Sequence, residues 1–322
     1  MKTYDVTAMG ELLIDFTESG VSPQGNPLLE ANPGGAPCNV LAMLNRLGKK
    51  TAFIGKVGDD NFGHMLAQAV QQSGTDTKNL LFDATVPTTL AFVHTRSDGD
   101  REFSFYRNPG ADMMLKKEEV MEDVIRASKI FHFGTLSSTH PGVREATRHA
   151  LQVAGDAGVL ISFDPNLREP LWNSLEDARR EIEYGLKRCD ILKISDNELE
   201  FMTGTNDYTR AAEILRERYD IRLMFVTLGK DGSRAYYKDL MVEAAPFLQE
   251  HTIETTGAGD TFEGCALNYV LEHGLEALTE RGLLELLTFA NAGASLITTR
   301  KGALRVMPTA DQIEELIASR KK

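Results

Sequence analysis

The stretch ETTGAGDTFEGCAL, residues 254–267, places two glycines and an alanine at the start of a helical pattern, with Asp260 directly after them. The first N–H groups of a helix lack intrahelical partners, and the helix dipole adds partial positive charge at that end. Small residues let an anion approach these N–H groups closely. The stretch therefore predicts an anion cradle beside a carboxylate, and the alternative is an ordinary helix start capped by Thr256 or Asp260.

The composition is that of a globular protein with a sizeable core, with 322 residues, 42% hydrophobic and 25% charged. The 47 acidic and 35 basic residues give a net charge of -12. This argues against nucleic-acid binding, which depends on neutralising phosphates, but a small phosphorylated ligand needs only local positive potential. The sequence has three cysteines and no C-x-x-C pair, which is typical of a reducing compartment. It shows neither a signal-peptide pattern nor a membrane-spanning stretch. We therefore expect a cytoplasmic protein without a membrane partner.

Short apolar runs alternate with helical patterns along the chain. The runs predict strands at 4–9, 51–57, 130–133, 160–163, 191–194 and 223–227. The helical patterns fall at 36–47, 61–73, 141–156, 174–188, 208–218, 283–299 and 309–319, with Asn61 as the expected cap of the second. Such alternation predicts one α/β domain, residues 1–322, with helices on both faces of a mostly parallel sheet.

The region 88–107 interrupts this alternation. The runs TTLAFVHTR and REFSFYR flank SDGD at residues 97–100, and Asp-Gly between alternating runs is a strong hairpin signal. Phe103 and Phe105 would share one face of this hairpin. The sequence therefore predicts an antiparallel hairpin inserted into the parallel pattern.

Polar clusters follow several predicted strands, where ligands of parallel sheets bind. In SDNELE (195–200), the side chains of Asn197, Glu198 and Glu200 suit Mg²⁺ held partly through water. The alternative is an acid-rich helix start, which the helix dipole favours.

Two further clusters are candidates for ligand contacts. In DPNLR (164–168), Arg168 suits a phosphate or sugar oxygen, and the alternative is a surface turn. In GGAPCN (34–39), the glycines let the backbone approach a polar ligand and Asn39 is available to hydroxyl groups, or the segment is a turn before a helix. The sequence contains neither a Walker-type phosphate loop nor a complete Gly-x-Gly-x-x-Gly fingerprint.

Taken together, these motifs resemble those of the ribokinase-like (PfkB-type) carbohydrate kinases. ETTGAGDTF is similar to the C-terminal signature of that family, and GGAPCNVLAMLNRLG to its N-terminal signature. DPNLR, NELE and TLGKDG match its internal motifs in the same order, so the resemblance spans roughly residues 9–302. Within the family, GELLIDF and TTLAFVHTRSDGDREFSFYRNPGADMML most resemble the fructokinases.

The resemblance implies a ribokinase-like doubly wound sheet and assigns roles to individual residues. Asp260 would be the general base for the acceptor hydroxyl, and Gly257, Ala258 and Gly259 would form the anion hole for the transferred phosphoryl group. The positions that match sugar contacts are Asp15, Gly34, Gly35, Asn39, Arg107 and Arg168. The positions that match the nucleotide site are Asn197, Thr227, Gly229, Gly232 and Asn291, with Glu200 as the Mg²⁺ position through water.

The activity that the resemblance implies is ATP-dependent phosphorylation of a sugar hydroxyl, most closely fructose to fructose 6-phosphate. One alternative is another sugar or a sugar acid such as 2-keto-3-deoxygluconate. Arg107 favours an acid, whereas the Asp15 carboxylate favours a neutral sugar. A second alternative is a non-catalytic sugar-binding protein, against which the intact Asp260 argues because a binder needs no base.

The resemblance also implies a small β lid, formed by segments near 11–33 and 86–110, that covers the sugar and often pairs two subunits. A homodimer through the lid is therefore expected. Glu254 stands where the family usually has Asp. In relatives this region helps to bind a monovalent cation, and the longer side chain puts potassium dependence in question.

Overall fold

The backbone follows the predicted alternation of strands and helices. The computed structural model describes residues 2–95 and 101–320. Within these residues the strands are β1 (Tyr4–Met9), β2 (Leu13–Val21), β3 (Pro27–Gly34), β4 (Thr51–Gly58), β5 (Asp76–Asp83), β6 (Leu90–Thr95), β7 (Arg101–Tyr106), β8 (Ser128–Gly134), β9 (Leu160–Asp164), β10 (Ile191–Ser195), β11 (Leu223–Thr227), β12 (Ser233–Tyr237) and β13 (Leu240–Ala244). The α-helices there are α1 (Ala36–Arg46), α2 (Asn61–Gln72), α3 (Glu122–Arg126), α4 (Pro141–Asp156), α5 (Leu175–Leu186), α6 (Asp196–Thr203), α7 (Tyr208–Arg218), α8 (Ala258–His273), α9 (Glu280–Ile297) and α10 (Ala310–Ser319).

Nine strands form the main sheet, in the order β13-β12-β11-β10-β9-β8-β1-β4-β5. From β11 to β5 neighbouring strands pair in parallel, and β12 and β13 extend the edge as an antiparallel hairpin. All eight residues of β4 are buried, as expected for a strand covered on both faces. The structure confirms the predicted parallel α/β sheet and adds an edge hairpin that the sequence did not indicate.

The helices divide between the two faces of this sheet. Successive strand side chains point to opposite faces, and Ile191 of β10 joins one hydrophobic cluster while Leu192 joins the other. The first cluster contains buried residues of α1, α2, α8, α9 and α10. The second contains buried residues of α3 to α7. This arrangement leaves the carboxyl ends of the parallel strands as the open edge where a ligand site can form.

A second, four-stranded sheet lies outside this core, in the order β3-β2-β6-β7. Strands β6 and β7 pair antiparallel from Leu90↔Tyr106 to Thr95↔Arg101, as the hairpin prediction requires. The rings of Phe16 and Phe92 stack at 4.9 Å between centroids on this sheet. The predicted turn, residues 97–100, and the Phe103 side chain lie outside the described residues. The small sheet fits the lid segments expected near 11–33 and 86–110.

The start of α2 differs from the sequence prediction. The cap is Asp60, not Asn61, because the Asp60 carboxylate accepts a hydrogen bond from the Gly63 N–H (2.8 Å). Asn61 is already the first helical residue. Across residues 2–95 and 101–320, no helix combines the length and apolar character needed to cross a membrane.

Candidate active site

A cavity of about 550 Å³ opens beneath the small sheet, at the carboxyl ends of the parallel strands. Strands and loops of both sheets contribute to its wall. Its lining includes Asp15, Gly35, Asn39, Arg168, Gly257 and Asp260. With Gly259, the structure therefore brings seven of the predicted site positions, from four separate parts of the chain, to one cavity.

Asp260 lies in the first turn of α8 and is buried. The Asn39 amide of α1 donates a hydrogen bond to Oδ2 of Asp260 at 2.8 Å. Burial raises the pKa of Asp260 to about 6, Asp164 adds to this rise, and the Asn39 hydrogen bond and the Lys193 charge oppose it. The carboxylate is therefore ionised at neutral pH, with a pKa suited to taking a proton from a hydroxyl group.

The start of α8 is formed by a glycine. Gly257 occupies the N-cap position with φ 78° and has no side chain to cap the helix, so the cap residue is neither Thr256 nor Asp260. The Ala258 N–H donates to the Thr255 carbonyl at 3.2 Å. Among the described residues, the next two N–H groups, of Gly259 and Asp260, make no backbone hydrogen bond to the preceding turn, and a helix start of this kind can receive an anion.

Glycine is required at position 257 of this helix start, and position 259 leaves little room for a side chain. A Cβ on Gly257 would lie 2.6 Å from Cβ of Ala303, and its positive φ disfavours other residues. A Cβ on Gly259 would lie 3.0 Å from Nζ of Lys193. The missing side chains therefore make room between α8, the segment at Ala303 and Lys193.

Lys193 is a site residue that the sequence reasoning missed. It lies on β10 with 6% of its surface exposed, and its Nζ forms an ion pair with Oδ2 of Asp164 at 2.9 Å. Burial opposes its charge, but the carboxylates of Asp164 and Glu198 outweigh this and raise the pKa of Lys193 above its usual range. A permanent positive charge thus lies beside the open start of α8.

A second cavity, of about 480 Å³, lies on the other side of Gly259. Its walls include the predicted nucleotide positions Thr227, Gly229, Gly232 and Asn291, together with apolar residues such as Phe247 and Leu248. Four residues line both cavities: Lys193, Thr252, Thr255 and Gly259. The two cavities therefore meet at the start of α8, beside the Lys193 ammonium.

Asn291 shapes the second cavity through its own hydrogen bonds. Its Oδ1 accepts from Oγ of Ser233 at 2.8 Å. Its Nδ2 donates to the carbonyls of Ala244 and Ala245 at 3.2 and 3.1 Å. The amide thus ties α9 to the start of β12 and the end of β13, and so fixes the wall of the cavity.

Two carboxyl groups, those of the half-buried Asp15 and the buried Glu11, lie at the far end of the first cavity. Burial raises the pKa of Asp15 to about 7, and the Arg168 charge opposes that rise. Gly34 does not line the cavity, but a Cβ there would overlap the Asp15 carboxylate. Glu11, which sequence reasoning missed, accepts from the Ala36 N–H at 2.9 Å, and burial raises its pKa to about 7. This end of the cavity favours a ligand rich in hydroxyl donors.

The structure does not bring Arg107 into the cavity. Its guanidinium is buried and donates to the Asp112 carboxylate (2.8 Å), the Thr139 hydroxyl (2.7 Å) and the Leu136 carbonyl (2.9 Å). These bonds anchor the end of β7 to the main domain. Arg107 therefore supports the small sheet, and its contact with the sugar stays a prediction that these bonds do not favour.

The structure also leaves Asn197 and Glu200 outside both cavities, because their side chains are exposed on the outer side of α6. Glu198 is the buried acid of this motif. Its oxygens accept from the Leu167 N–H at 2.7 Å and the Ser195 N–H at 2.9 Å. Asp196 lines the second cavity. Asp196, rather than Asn197 or Glu200, is therefore the residue of this motif that faces the second cavity.

Two charged residues complete the site. Arg168 lines the first cavity, and its guanidinium donates a hydrogen bond to the adjacent Leu167 carbonyl at 3.2 Å. Glu254 is buried, and its Oε1 has no hydrogen-bond partner among the described residues. In that same part of the chain, no group of three or more His, Cys, Asp or Glu side chains could hold a metal ion by itself.

Comparison with known proteins agrees with this geometry. The model of the pfkB family carbohydrate kinases matches residues 4–310, and the chain belongs to this family. It is 45% identical over 307 residues to a probable fructokinase-2 of Arabidopsis thaliana, covering 94% of this chain and 93% of the relative. It is 43% identical to fructokinase-2 of Solanum lycopersicum, covering 97% and 95%.

Solved structures show the same fold. The fructokinase of Xylella fastidiosa with bound ATP superposes with a TM-score of 0.90 at 29% identity, over 100% of both chains. The fructokinase of Vibrio cholerae with fructose, ADP and calcium ion superposes with a TM-score of 0.87 at 27% identity, over 98% of this chain and 99% of that one. The expected ribokinase-like α/β fold is therefore confirmed.

Proposed function

We propose that this protein transfers the γ-phosphoryl group of ATP to fructose and so forms fructose 6-phosphate. The observation that carries the proposal is the ionised Asp260 carboxylate of the first cavity, next to the helix start at which the two cavities meet. The sequence relatives that carry the name fructokinase, and the structural relative that holds fructose and ADP, support fructose as the acceptor.

The two cavities divide the substrates. The sugar occupies the cavity of Asp15, Asn39 and Arg168, and ATP occupies the cavity of Gly229 and Asn291. The acceptor hydroxyl then gives its proton to Asp260 as its oxygen bonds to the γ-phosphorus, and the bond from that phosphorus to the bridging oxygen of ADP breaks. Such transfer depends mainly on alignment and on neutralising charge.

Charge on the moving phosphoryl group is stabilised by this chain's own donors. The N–H groups of Gly259 and Asp260 and the ammonium of Lys193 converge where the two cavities meet. Hydrogen-bond donors and charges that are already in place before the reaction lower the barrier to phosphoryl transfer, because the protein does not have to rearrange as charge develops. Asp164 positions Lys193 through their ion pair.

The charges of the first cavity favour a neutral sugar over a sugar acid. Carboxyl groups of Glu11, Asp15 and Asp260 line it, and Arg107, which would have favoured an acid, is bonded elsewhere. The positive charge of Arg168 is balanced by the carboxyl groups of Asp15 and Asp260, and it opposes the rise that burial causes in their pKa values. The Lys193 ammonium also lines this cavity, but it is paired with Asp164. A substrate carboxylate would therefore meet no unpaired cation among these lining residues and would be repelled by the ionised fraction of these carboxyl groups.

We further propose that Mg²⁺ accompanies ATP and meets the protein at Asp196. Mg²⁺ takes oxygen ligands, usually one or two carboxylates and substrate phosphates, with several waters retained, and it neutralises phosphate charge. Asp196 should matter because it lines the nucleotide cavity. Asp196→Asn should raise the Mg²⁺ concentration needed for half-maximal rate, and Glu200→Gln, on the exposed side of the same helix, is the matched control.

A monovalent cation site at Glu254 is a separate proposal. A buried carboxylate oxygen without a partner is costly unless a cation or proton compensates it. K⁺ should therefore raise the melting temperature of the wild-type protein more than the larger tetramethylammonium ion does. An equal response to both ions, or the same K⁺ response in Glu254→Gln, would contradict this proposal.

We also propose that the protein is cytoplasmic and dimerises through its small sheet. The described cysteines are free and buried, as in a reducing compartment. Large apolar side chains are exposed on the lid strands: Val21, Leu28, Leu29 and Tyr106. A dimer by light scattering that becomes a monomer in Leu28→Glu/Leu29→Glu supports this surface, and a wild-type monomer contradicts it.

The kinase proposal is tested by incubating the protein with ATP, Mg²⁺ and a panel of sugars while ADP release is followed. Fructose should give the highest kcat/KM among fructose, ribose, adenosine and 2-keto-3-deoxygluconate. Asp260→Asn serves as the control that binds but does not turn over. Protection by fructose against thermal unfolding without any ADP release would instead identify a sugar-binding protein.

A further inference from the structure

A cavity of about 520 Å³ lies away from the substrate cavities and shares no lining residue with either. It is formed by the last turns of α1 and α2 and by the segment 304–307. Its volume is close to that of the first substrate cavity. The space is therefore large enough for a ligand the size of a phosphorylated sugar.

One wall of this cavity is positively charged in a protein whose net charge is -12. Arg46 and Arg305 line it, and no Asp or Glu is among the lining residues. Within the described residues, Arg305 has no hydrogen bond or ion pair, and Arg46 makes one hydrogen bond, to the Met307 carbonyl at 3.3 Å. The positive charge of Arg46 is also felt by Arg300, whose pKa burial and Arg46 lower. The guanidinium groups of Arg46 and Arg305 can pair with the oxygens of a phosphate group.

The opposite wall suits hydroxyl groups. Helices α1 and α2 both end at this cavity. The carbonyls of Met43, Leu44, Ala69 and Val70 already accept backbone N–H groups there, so side chains supply the polar contacts of this wall. The exposed Gln72 amide and the Ser73 hydroxyl lie on the same side. One wall therefore selects an anion and the other selects hydroxyl donors, which is the combination that a phosphorylated sugar presents.

The segment that lines this cavity also contacts the catalytic helix. Met307, whose carbonyl accepts from Arg46, has its Sδ 3.3 Å from Oγ1 of Thr261, the residue after Asp260. Ala303 packs against Gly257 so closely that a Cβ on the glycine would lie 2.6 Å away. A ligand that moved Arg46 or the segment 303–307 would therefore act directly on the first turn of α8.

We propose that this cavity is a second binding site, specific for a phosphorylated sugar, and that its occupancy alters phosphoryl transfer through the segment 303–307. The reaction's product belongs to this class of ligand, so the site would let the pool of sugar phosphates act on the enzyme that feeds it. The binding half of the proposal does not depend on which sugar the enzyme phosphorylates.

Calorimetry tests the binding. The active site is first filled with fructose and a non-hydrolysable ATP analogue, and fructose 6-phosphate is then titrated. We expect one further site in the wild type, weakened about tenfold or more in Arg305→Gln by the loss of one charge-assisted contact. Arg281→Gln, an exposed arginine of α9 paired with Glu285, is the matched control and should bind as the wild type does.

Two binding results would overturn the site. The first is the absence of additional heat in the wild type, and the second is an unchanged affinity in Arg305→Gln. Loss of the Arg305 side chain should not unfold the protein, because it makes no hydrogen bond or ion pair with the described residues. Inorganic phosphate forms a parallel arm. Binding of phosphate as tight as that of fructose 6-phosphate would overturn the assignment of a sugar phosphate, because the hydroxyl wall would then contribute nothing.

Kinetics test the coupling. With fructose and ATP both saturating, added fructose 6-phosphate should change kcat at least about twofold in the wild type and in Arg281→Gln, but not in Arg305→Gln. The Arg305→Gln enzyme without added ligand should keep the wild-type kcat. Equal responses in the three proteins would place the effect in the active site and overturn the coupling. A failure of the kinase proposal would leave the calorimetric result intact.

Discussion

Replacing Lys193 with methionine should slow phosphoryl transfer about 10²–10³-fold, the usual cost of removing one positioned donor from a developing charge. The reason is the position of Lys193, which lines both cavities and has its Nζ 3.0 Å from the position that a Gly259 Cβ would take. Methionine keeps the length of the side chain and removes the charge. Single-turnover rates with saturating ATP and fructose report the transfer step itself.

The ion pair with Asp164 complicates this single variant. Removing one partner of a buried pair typically costs about 3–5 kcal/mol of stability, because the other charge is left uncompensated. The double variant Lys193→Met/Asp164→Asn removes both charges and should recover most of the lost melting temperature. We expect its transfer rate to stay low. Recovery of the rate together with the stability would refute a direct role for Lys193.

Three further predictions concern the first turn of α8. Asp260→Asn should lower kcat about 10²–10⁴-fold while calorimetry still detects fructose and ATP, since the amide cannot take a proton; turnover within about tenfold of wild type would contradict the base assignment. Gly257→Val, once shown to be folded by circular dichroism, should lower kcat more than sugar affinity, because the side chain would meet Ala303; unchanged kinetics would mean that the helix start is only a turn. The raised pKa of Asp260, about 6, means that the base is protonated below pH 6, so kcat/KM should rise with pH through this value and level off above it; a flat profile from pH 5 to 7 would exclude this carboxyl as the base.

The sequence predicted most of the parallel sheet because local signals were strong there. The strand predicted at 4–9 is observed as Tyr4–Met9, and that at 223–227 as Leu223–Thr227. Both are short apolar runs between turn residues. The hairpin of β12 and β13 was missed because its turn lacks Asn-Gly or Asp-Gly. Lys238 instead adopts the left-handed conformation, with φ 50°, which the sequence does not signal.

The motifs located the open start of α8 but not the residues that meet it from other strands. Lys193 sits in the run ILKIS, where it looks like any strand residue, and its partner Asp164 comes 29 positions earlier. Only the parallel pairing of β9 with β10 brings them together. Glu11 was missed for the same reason, since its function depends on the distant Ala36 N–H.

The phase of one helix decides which residues of the NELE motif and its neighbours face the second cavity. Asn197 and Glu200 belong to the oxygen-rich motif in the sequence, but on α6 their side chains are exposed to solvent, whereas Glu198 is buried. One signal was present, because Ser195 and Glu198 form a Ser-x-x-Glu capping box that fixes where the helix begins. Arg107 could not be placed in this way, since its role depends on Asp112 and Leu136.

The central claim is that this site phosphorylates a neutral ketohexose in preference to a sugar acid. The most direct test offers fructose and 2-keto-3-deoxygluconate together, at equal concentration and with limiting ATP, and identifies the phosphorylated products by mass spectrometry. The carboxyl groups of Glu11, Asp15 and Asp260 around the sugar cavity predict that fructose phosphate exceeds the acid product by about tenfold or more. A majority of phosphorylated acid would contradict the account.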